Sequence, residues 1–274
     1  VEYSHDLFTA EALTWIKANK ENPFFLYRPL TIPHANNEGT RMFGDGAEVP
    51  DYGIYEKENW TKQDKGQAAM ITRMDRDVGR LLDLLKELKI EENTLVMFTS
   101  DNGPHNEAGH NPELFKPAGP LRGMKRTLTE GGIRVPTLAW WPNTIEPNSI
   151  SDQPFYFGDL MATACDMTQS DMPLQTDSLS FLPILKGKAE EQKRHKYLYW
   201  EFYERTFRQA VIMEDWKLIR SGMDNQRLEL YDLKNDIHED VNLIKEQPAV
   251  AQRMLSYMES AHVPHPNWTT PKRK

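Results

Sequence analysis

The sequence predicts an α/β fold in which helices cover a largely parallel sheet, followed by a small antiparallel sheet with a packed helix. Two observations support this prediction. An amphipathic helix is twice followed by a short apolar segment, as expected where helices cover both faces of a sheet. After about His195, short apolar segments follow one another closely, and hairpins connect them most economically. We therefore expect one domain over residues 1–194 and a smaller one over residues 195–274.

The first hundred residues predict two helices and two strands. A helix over residues 6–20 is followed by an apolar strand over residues 24–30. Residues 35–63 are rich in Asn, Gly, Asp and Glu, which predicts a surface loop. The clearest helix, over residues 66–88, carries an apolar stripe at helical spacing, and a second strand is predicted over residues 94–100.

The remaining residues predict a long connection, one more strand and helix, and then the antiparallel sheet. Residues 101–134 form an irregular connection after a strand end, a kind of loop that usually carries function. A third strand is predicted over residues 135–141 and a helix over residues 159–167. Four short strands and a final helix follow, over residues 197–202, 209–213, 216–220, 228–232 and 248–261. We expect the last residues, 271–274, to be frayed.

The composition restricts the classes of protein to which the chain can belong. Hydrophobic residues make up 39% and charged residues 27% of the 274 residues, as in a globular protein. The formal net charge of −8 argues against a general nucleic-acid-binding protein, which needs a basic face. The single cysteine, Cys165, excludes an intrachain disulfide and a cysteine-built metal site. Since no run of about 18 apolar residues occurs, we expect no membrane span.

Asp101 and Asn102 are the strongest candidates for metal ligands. They follow the apolar strand over residues 94–100, and ligands of open α/β sheets bind at the carboxyl ends of strands. Their carboxylate and amide oxygens suit Ca²⁺ or Mg²⁺, and Gly103 allows the chain to turn sharply. The alternative is that Asp-Asn-Gly marks only a turn.

Lys125 and His34 are candidates for binding an anion. Lys125 lies in a segment rich in cations and glycines, over residues 123–136, and is suited to hold an anionic oxyester by charge-assisted hydrogen bonds. The alternative for this segment is a solvated charged loop. His34 follows Pro33 beyond the predicted strand and is suited to donate a proton to, or bind, a developing anion. The alternative for His34 is a surface or structural histidine.

In this order, these segments resemble the sulfatase family of the alkaline-phosphatase-like superfamily. The similarity covers nearly the whole chain and lies in residues 22–34, 93–103, 123–136, 180–187 and 230–243. The resemblance implies that the chain holds part of an alkaline-phosphatase-like catalytic domain with flanking helices, plus the family's small C-terminal domain. It further implies hydrolysis of a sulfate ester, R–O–SO₃⁻, of a small molecule or a glycan, to an alcohol and sulfate.

The resemblance also implies roles for individual residues. Asp101 and Asn102 would be two ligands of a Ca²⁺ ion, with Mg²⁺ as the alternative, and His34 and Lys125 would contact the sulfate. His105 lies close enough in sequence to bind substrate, as a weaker assignment. The family's nucleophile is a formylglycine made from the first residue of a Cys/Ser-x-Pro/Ala-x-Arg motif. Neither this motif nor the Asp-Asp pair that supplies the family's other metal ligands occurs in the sequence.

We therefore expect a missing N-terminal segment to carry the formylglycine, and the chain alone to be inactive. Two protein ligands are too few for Ca²⁺, which takes about six to eight oxygens, and covalent catalysis requires the nucleophile. An uncovered sheet edge would also favour self-association. Family habit favours a periplasmic or secreted location. Two alternatives stay open: a related phospho- or phosphonate-ester hydrolase, and a non-catalytic anion-binding or interaction module.

Overall fold

The computed structural model describes residues 2–173, 175–204, 206–222 and 226–267 of the chain. These residues form two compact units. The first contains the chain up to Met97, His105–Pro117 and Ala139–Thr144; the second contains Phe98–Pro104, Ala118–Leu138 and the chain from Ile145 onward. The domain boundary predicted at residue 195 stays a prediction, because the second unit holds residues on both sides of it. The predicted fraying of residues 271–274 falls outside the described ranges.

Two long helices dominate the first unit, α1 (Ser4–Asn19) and α3 (Lys62–Glu87). The hydroxyl of Thr61 caps the first turn of α3, which satisfies a backbone N–H group that has no partner inside the helix. Ile16 of α1 and Leu85 of α3 are buried together in one hydrophobic cluster. The packing of these apolar faces therefore holds the two helices together.

The segment over residues 24–30 is not a β-strand, contrary to the sequence prediction. Its residues alternate between half-buried and exposed, as extended chain does. Phe24 and Leu26 pack on the cluster between α1 and α3, whereas Phe25 is 71% exposed and Tyr27 59% exposed. No strand pairs with this segment among the described residues. The prediction of a buried strand is therefore wrong: the segment is extended and half exposed, and a strand also needs the hydrogen bonds of a neighbour.

The loop predicted over residues 35–63 contains a helix, α2 (Asn37–Phe43). The side chain of Asn36 caps it by accepting a hydrogen bond from the N–H of Gly39 at 2.9 Å. Gly44 ends it with a φ of 70°, a conformation that favours glycine. Apolar periodicity does not predict this helix because it is short and largely polar.

Two short strands, β1 (Val96–Phe98) and β2 (Leu138–Trp140), form a two-stranded sheet. They lie inside the strands predicted over residues 94–100 and 135–141. The relative direction of the two strands, which we expect to be parallel, stays a prediction.

A four-stranded antiparallel sheet forms the centre of the second unit. Its strands pair in sequence order and are β3 (Leu198–Phe202), β4 (Arg208–Met213), β5 (Trp216–Ser221) and β6 (Arg227–Asp232). Helix α8 (Pro248–Ala261) packs on this sheet, and Met254 and Met258 are fully buried against Leu218 and Leu230. The predicted antiparallel sheet with a packed helix is confirmed, as is the mixed α/β class.

Four further short α-helices and three 3-10 helices, Gly53–Tyr55, Glu91–Asn93 and Ala189–Glu191, lie in the described residues. The four α-helices are α4 (Pro112–Phe115), α5 (Glu130–Ile133), α6 (Asp159–Thr168) and α7 (Leu182–Leu185). Cys165 lies half-buried in α6 as a free thiol. Within the described ranges, none of the helices has the length and apolar character needed to cross a bilayer.

Candidate functional site

Asp101 and Asn102 lie just beyond the end of β1, as the sequence predicts. Asp101 is exposed and Asn102 is half-buried, and the Asn102 amide donates a hydrogen bond to the Asp101 carboxylate. Rotation of this amide would turn its oxygen toward the carboxylate, so that both residues present oxygen donors on one side. Such donors suit Ca²⁺ or Mg²⁺.

This pair fits part of a metal site. Ca²⁺ takes about six to eight oxygen ligands and Mg²⁺ about six, of which Asp101 and Asn102 supply two. In the part of the chain that the structure describes, no group of three or more His, Cys, Asp or Glu side chains is arranged to hold a metal ion. The chemistry of the two donors therefore fits a hard divalent cation, and further oxygens would have to complete the shell.

Two backbone hydrogen bonds hold the segment with Lys125 against the segment with the two metal-ligand candidates. The N–H of Lys125 donates to the carbonyl of Pro104 at 2.8 Å, and the N–H of Gly103 donates to the carbonyl of Gly132 at 3.0 Å. A Cβ atom on Gly103 would lie 1.9 Å from the carbonyl oxygen of Gly131. This close approach of two backbones therefore requires glycine at position 103.

A buried ionic cluster lies next to this junction in the second unit. The ammonium group of Lys217 is 2.8 Å from the carboxylate of Glu130 and 3.1 Å from that of Glu239. Burial raises the pKa of Glu239, and the nearby Lys217 charge opposes this effect. No local pattern in the sequence marks these three residues as partners. The only signal was that Glu130 and Glu239 lie in segments that resemble the sulfatase family.

His34 lies partly exposed in the first unit. Its ring is 43% exposed, and its Nε2 lies 3.4 Å from the carboxylate of Glu107. Its Nδ1 donates a hydrogen bond to the carbonyl of Ala35 at 2.7 Å, since a carbonyl can only accept. This bond orients the ring so that its Nε2 edge points away from its own backbone. Glu107 was not predicted, because it lies in a loop without periodic signal.

His105 lies beside His34, with the two ring centroids 5.6 Å apart. Its Nε2 donates to the carbonyl of Pro33 at 3.1 Å, and its Nδ1 accepts the N–H of Glu107 at 3.0 Å. Both ring nitrogens are therefore bonded to backbone groups in one neutral tautomer. Burial is the main cause that lowers the pKa of His105. The ring thus braces the turn that carries His34, while a contact of His105 with substrate stays a prediction.

The predicted site residues fall into two groups. The structure brings His34 and His105 together in the first unit. It holds Lys125 next to the segment of Asp101 and Asn102 in the second unit. The first group contains His34 and the neighbouring ring of His105. The second contains Lys125, whose backbone is hydrogen-bonded to the segment of Asp101 and Asn102.

Comparisons with known proteins identify the family. The profile of the sulfatase family matches residues 1–170, which is more than half of the chain. The chain belongs to the sulfatase family. A second profile, for the C-terminal region of N-sulphoglucosamine sulphohydrolase, matches residues 124–262 of this sulfatase chain.

Individual relatives agree with this identification. The N-acetylgalactosamine-6-O-sulfatase of Bacteroides thetaiotaomicron is 27% identical over 93% of the sulfatase chain and 50% of its own length. The N-acetylgalactosamine-6-sulfatase of Mus musculus is 34% identical over 68% of the chain and 34% of its own length. The sulfatase chain thus spans half or less of the length of these curated relatives.

Solved structures confirm the predicted alkaline-phosphatase-like fold. The crystal structure of Ps i-CgsB in complex with k-i-k-neocarrahexaose superposes with a TM-score of 0.76 and 27% identity. The match covers 95% of the sulfatase chain and 55% of that protein. A B. thetaiotaomicron sulfatase from a study of glycosaminoglycan metabolism gives a TM-score of 0.74 at 25% identity, over 95% of the sulfatase chain and 55% of its own.

Proposed function

We propose that the gene product containing this chain hydrolyses a sulfate monoester of a glycan. In this reaction water and R–O–SO₃⁻ give the alcohol ROH and hydrogensulfate. The observation that carries the proposal is the junction at which backbone hydrogen bonds hold Lys125 against the segment of Asp101 and Asn102. One cation and two hard oxygen donors in a member of the sulfatase family suit a bound sulfate group. Relatives named for N-acetylgalactosamine 6-sulfate, and a neighbour bound to a neocarrahexaose, support a glycan as the substrate class.

Asp101 and Asn102 would supply two of the oxygen ligands of Ca²⁺, or of Mg²⁺ as the alternative, and Lys125 would contact the sulfate group. When bound, the ion polarises the sulfate oxygens. The Lys125 ammonium adds a charge-assisted hydrogen bond to the sulfate, which stabilises negative charge as the ester bond breaks.

His34 exchanges a proton with the ester oxygen. Its Nδ1 hydrogen is held by the carbonyl of Ala35, so the Nε2 edge is the one that faces a reaction partner. That edge lies 3.4 Å from the carboxylate of Glu107, and it is the edge from which His34 would donate a proton to the departing oxygen. His105 keeps this ring in place through the Pro33 carbonyl.

The nucleophile lies outside the 274 residues in this proposal. The chain contains no Cys/Ser-x-Pro/Ala-x-Arg motif, and we assign the formylglycine to another part of the gene product. The 274-residue chain alone therefore releases no sulfate.

The test is sulfate release by the complete gene product from N-acetylgalactosamine 6-sulfate and 4-nitrophenyl sulfate, beside phosphate release from 4-nitrophenyl phosphate. We expect both sulfate esters to be cleaved, with a higher kcat/KM for 4-nitrophenyl sulfate than for the phosphate. Lys125→Ala should lower kcat/KM by about 10²–10³, the usual loss for a group that stabilises developing charge.

The control is Lys188→Ala, which removes an exposed lysine in the same unit and should leave kcat/KM unchanged. Preferential cleavage of the phosphate ester would replace the proposed function by a phosphoesterase. Cleavage of neither ester class would leave the anion-binding module as the better hypothesis.

A further inference from the structure

The loop that carries Lys125 is closed at its base by its own backbone. The N–H of Gly131 donates to the carbonyl of Arg122 at 2.8 Å, and we call residues 122–131 the Lys125 loop. Inside it, the N–H and the hydroxyl of Thr127 donate to the carbonyl of Met124 at 3.0 and 2.8 Å. These bonds make the loop a structured unit, so a displacement of its base moves Lys125 as well.

Glu239 contacts both ends of this loop from a segment more than one hundred residues away. Its carboxylate accepts the N–H of Glu130 at 2.8 Å, and its backbone carbonyl accepts the Arg122 guanidinium at 2.7 Å. The Arg122 guanidinium also lies over the ring of Tyr231 and donates to its hydroxyl. The C-terminal part of the chain therefore fixes the position of the loop base.

Lys217 on β5 keeps Glu239 in this position. Lys217 and Glu239 are both fully buried, and the ammonium group lies between the carboxylates of Glu130 and Glu239. Because the side chain of Glu239 is not in contact with solvent, its conformation is set by Lys217 and by the N–H of Glu130. The ion pair and the loop thus constrain each other.

A buried ion pair is weak support for a role in stability alone, since well-packed apolar side chains often stabilise as much. The loop contacts give this one a more specific role. We propose that Glu239 is a positioning residue for Lys125, which it holds in register with Asp101 and Asn102 through the base of the Lys125 loop. This inference rests on the proposed function. A misplacement of about 1 Å at a catalytic group can cost about 10²-fold in rate, so a small shift of the loop base is measurable.

The test is a double-mutant cycle in the complete gene product, with kcat and KM measured on 4-nitrophenyl sulfate. Glu239→Ala removes the acceptor for the Glu130 N–H, and Glu239→Gln keeps an acceptor of the same size without the charge. We expect Glu239→Ala to lower kcat/KM by about 30–100-fold and Glu239→Gln by about 10-fold, as partial rescue. In the Lys125→Ala background, we expect each Glu239 change to alter kcat/KM by less than about twofold, because the effect passes through Lys125.

The matched control is Asp159→Asn, which alters another buried carboxylate of the second unit. Asp159 lies 2.8 Å from His195 and accepts the N–H of Leu179, and it has no hydrogen bond to the Lys125 loop. We expect kcat/KM of this variant to stay within about twofold of the wild type at a temperature where circular dichroism shows both to be folded.

Three outcomes would overturn the inference. They are additive losses in the Lys125→Ala background, an equal loss in Asp159→Asn, and an unchanged kcat/KM in folded Glu239→Gln. If Glu239→Ala does not fold, Glu239→Gln carries the cycle by itself. A wild-type protein without sulfate release would contradict the proposed function instead, so the two failures are distinguishable.

Discussion

The two units each contain a fully buried charged centre, but the two centres are built in opposite ways. In the first unit, the carboxylate of Asp77 accepts hydrogen bonds from Arg76, Arg80 and the hydroxyl of Thr9. In the second unit, the single cation of Lys217 lies between the carboxylates of Glu130 and Glu239. Asp77 therefore has two guanidinium groups and a hydroxyl as donors, whereas Glu130 and Glu239 share one buried ammonium group. Their other partners are weaker: the exposed Arg134 lies 3.4 Å from Glu130, and Glu239 accepts the backbone N–H of Glu130.

The two centres differ in the number of donors that each buried carboxylate has, although their carboxylates are similarly buried. Arg76 and Arg80 are about half exposed, so water can replace one of them and Asp77 keeps its other donors. Loss of Lys217 would leave two negative charges in the interior, where desolvation is costly. Only the second centre is hydrogen-bonded to a loop that carries a candidate catalytic residue.

The largest expected effect is that of Lys217→Ala. We expect it to lower the free energy of unfolding of the complete gene product at pH 7 by about 3–5 kcal/mol, because two buried carboxylates lose their partner. The loss should be smaller at pH 4, since burial raises the pKa of Glu239 and a protonated Glu239 carries no charge. Urea unfolding at both pH values measures it. A loss below about 1 kcal/mol at pH 7 would show that the second centre is not held by its lysine.

Local sequence signals predicted those parts of the fold that depend on nearby residues. The apolar stripe of α3 and the closely spaced apolar segments after His195 are both local features of the sequence, and both predictions were right. The prediction over residues 24–30 failed because a strand is defined by a neighbour, which the segment's own residues do not reveal. Helix α2 was missed because its caps, Asn36 and Gly44, determine it more than any apolar face.

The candidate site shows the same limit. A strand end and a glycine-rich segment were enough to indicate Asp101 and Lys125, and the structure holds their segments together by backbone hydrogen bonds. Nothing local indicates that residues 130, 217 and 239 meet, because 87 residues separate Lys217 from Glu130 and 109 separate Glu130 from Glu239. The buried charge that positions the loop is a property of the tertiary structure alone.

A smaller effect is expected for Asp77→Asn. Burial alone would raise the pKa of Asp77, but hydrogen bonds from Arg76 and Arg80 outweigh it and lower the pKa from 3.8 to about 2. A carboxyl whose pKa is lowered on folding stabilises the protein above its unfolded pKa, and this contribution is lost as the pH falls through the folded value. We expect the variant to lose about 2 kcal/mol of unfolding free energy at pH 7 and almost nothing near pH 2.

Urea unfolding of wild type and Asp77→Asn at pH 7, 4 and 2.5 measures this difference. The difference in unfolding free energy between the two proteins should stay constant from pH 7 to about pH 5 and should disappear below pH 4. A gap that persists unchanged at pH 2.5 would mean that the asparagine acts through packing, and the charge of Asp77 would then not be the source of its stabilising effect.

The smallest effect is expected for Arg80→Ala, which tests the redundancy of the first centre directly. Arg80 is about half exposed and donates to Asp77 at 3.0 Å, while Arg76 donates to the same oxygen at 2.9 Å. Its removal should therefore lower the free energy of unfolding by less than about 1 kcal/mol, as for other exposed ion pairs, and by less still in high salt. Urea unfolding at low and high ionic strength measures both values. A loss as large as that of Asp77→Asn would mean that Arg80 alone provides the stabilising interaction with Asp77. Each unit would then stabilise its buried carboxylates through one cation.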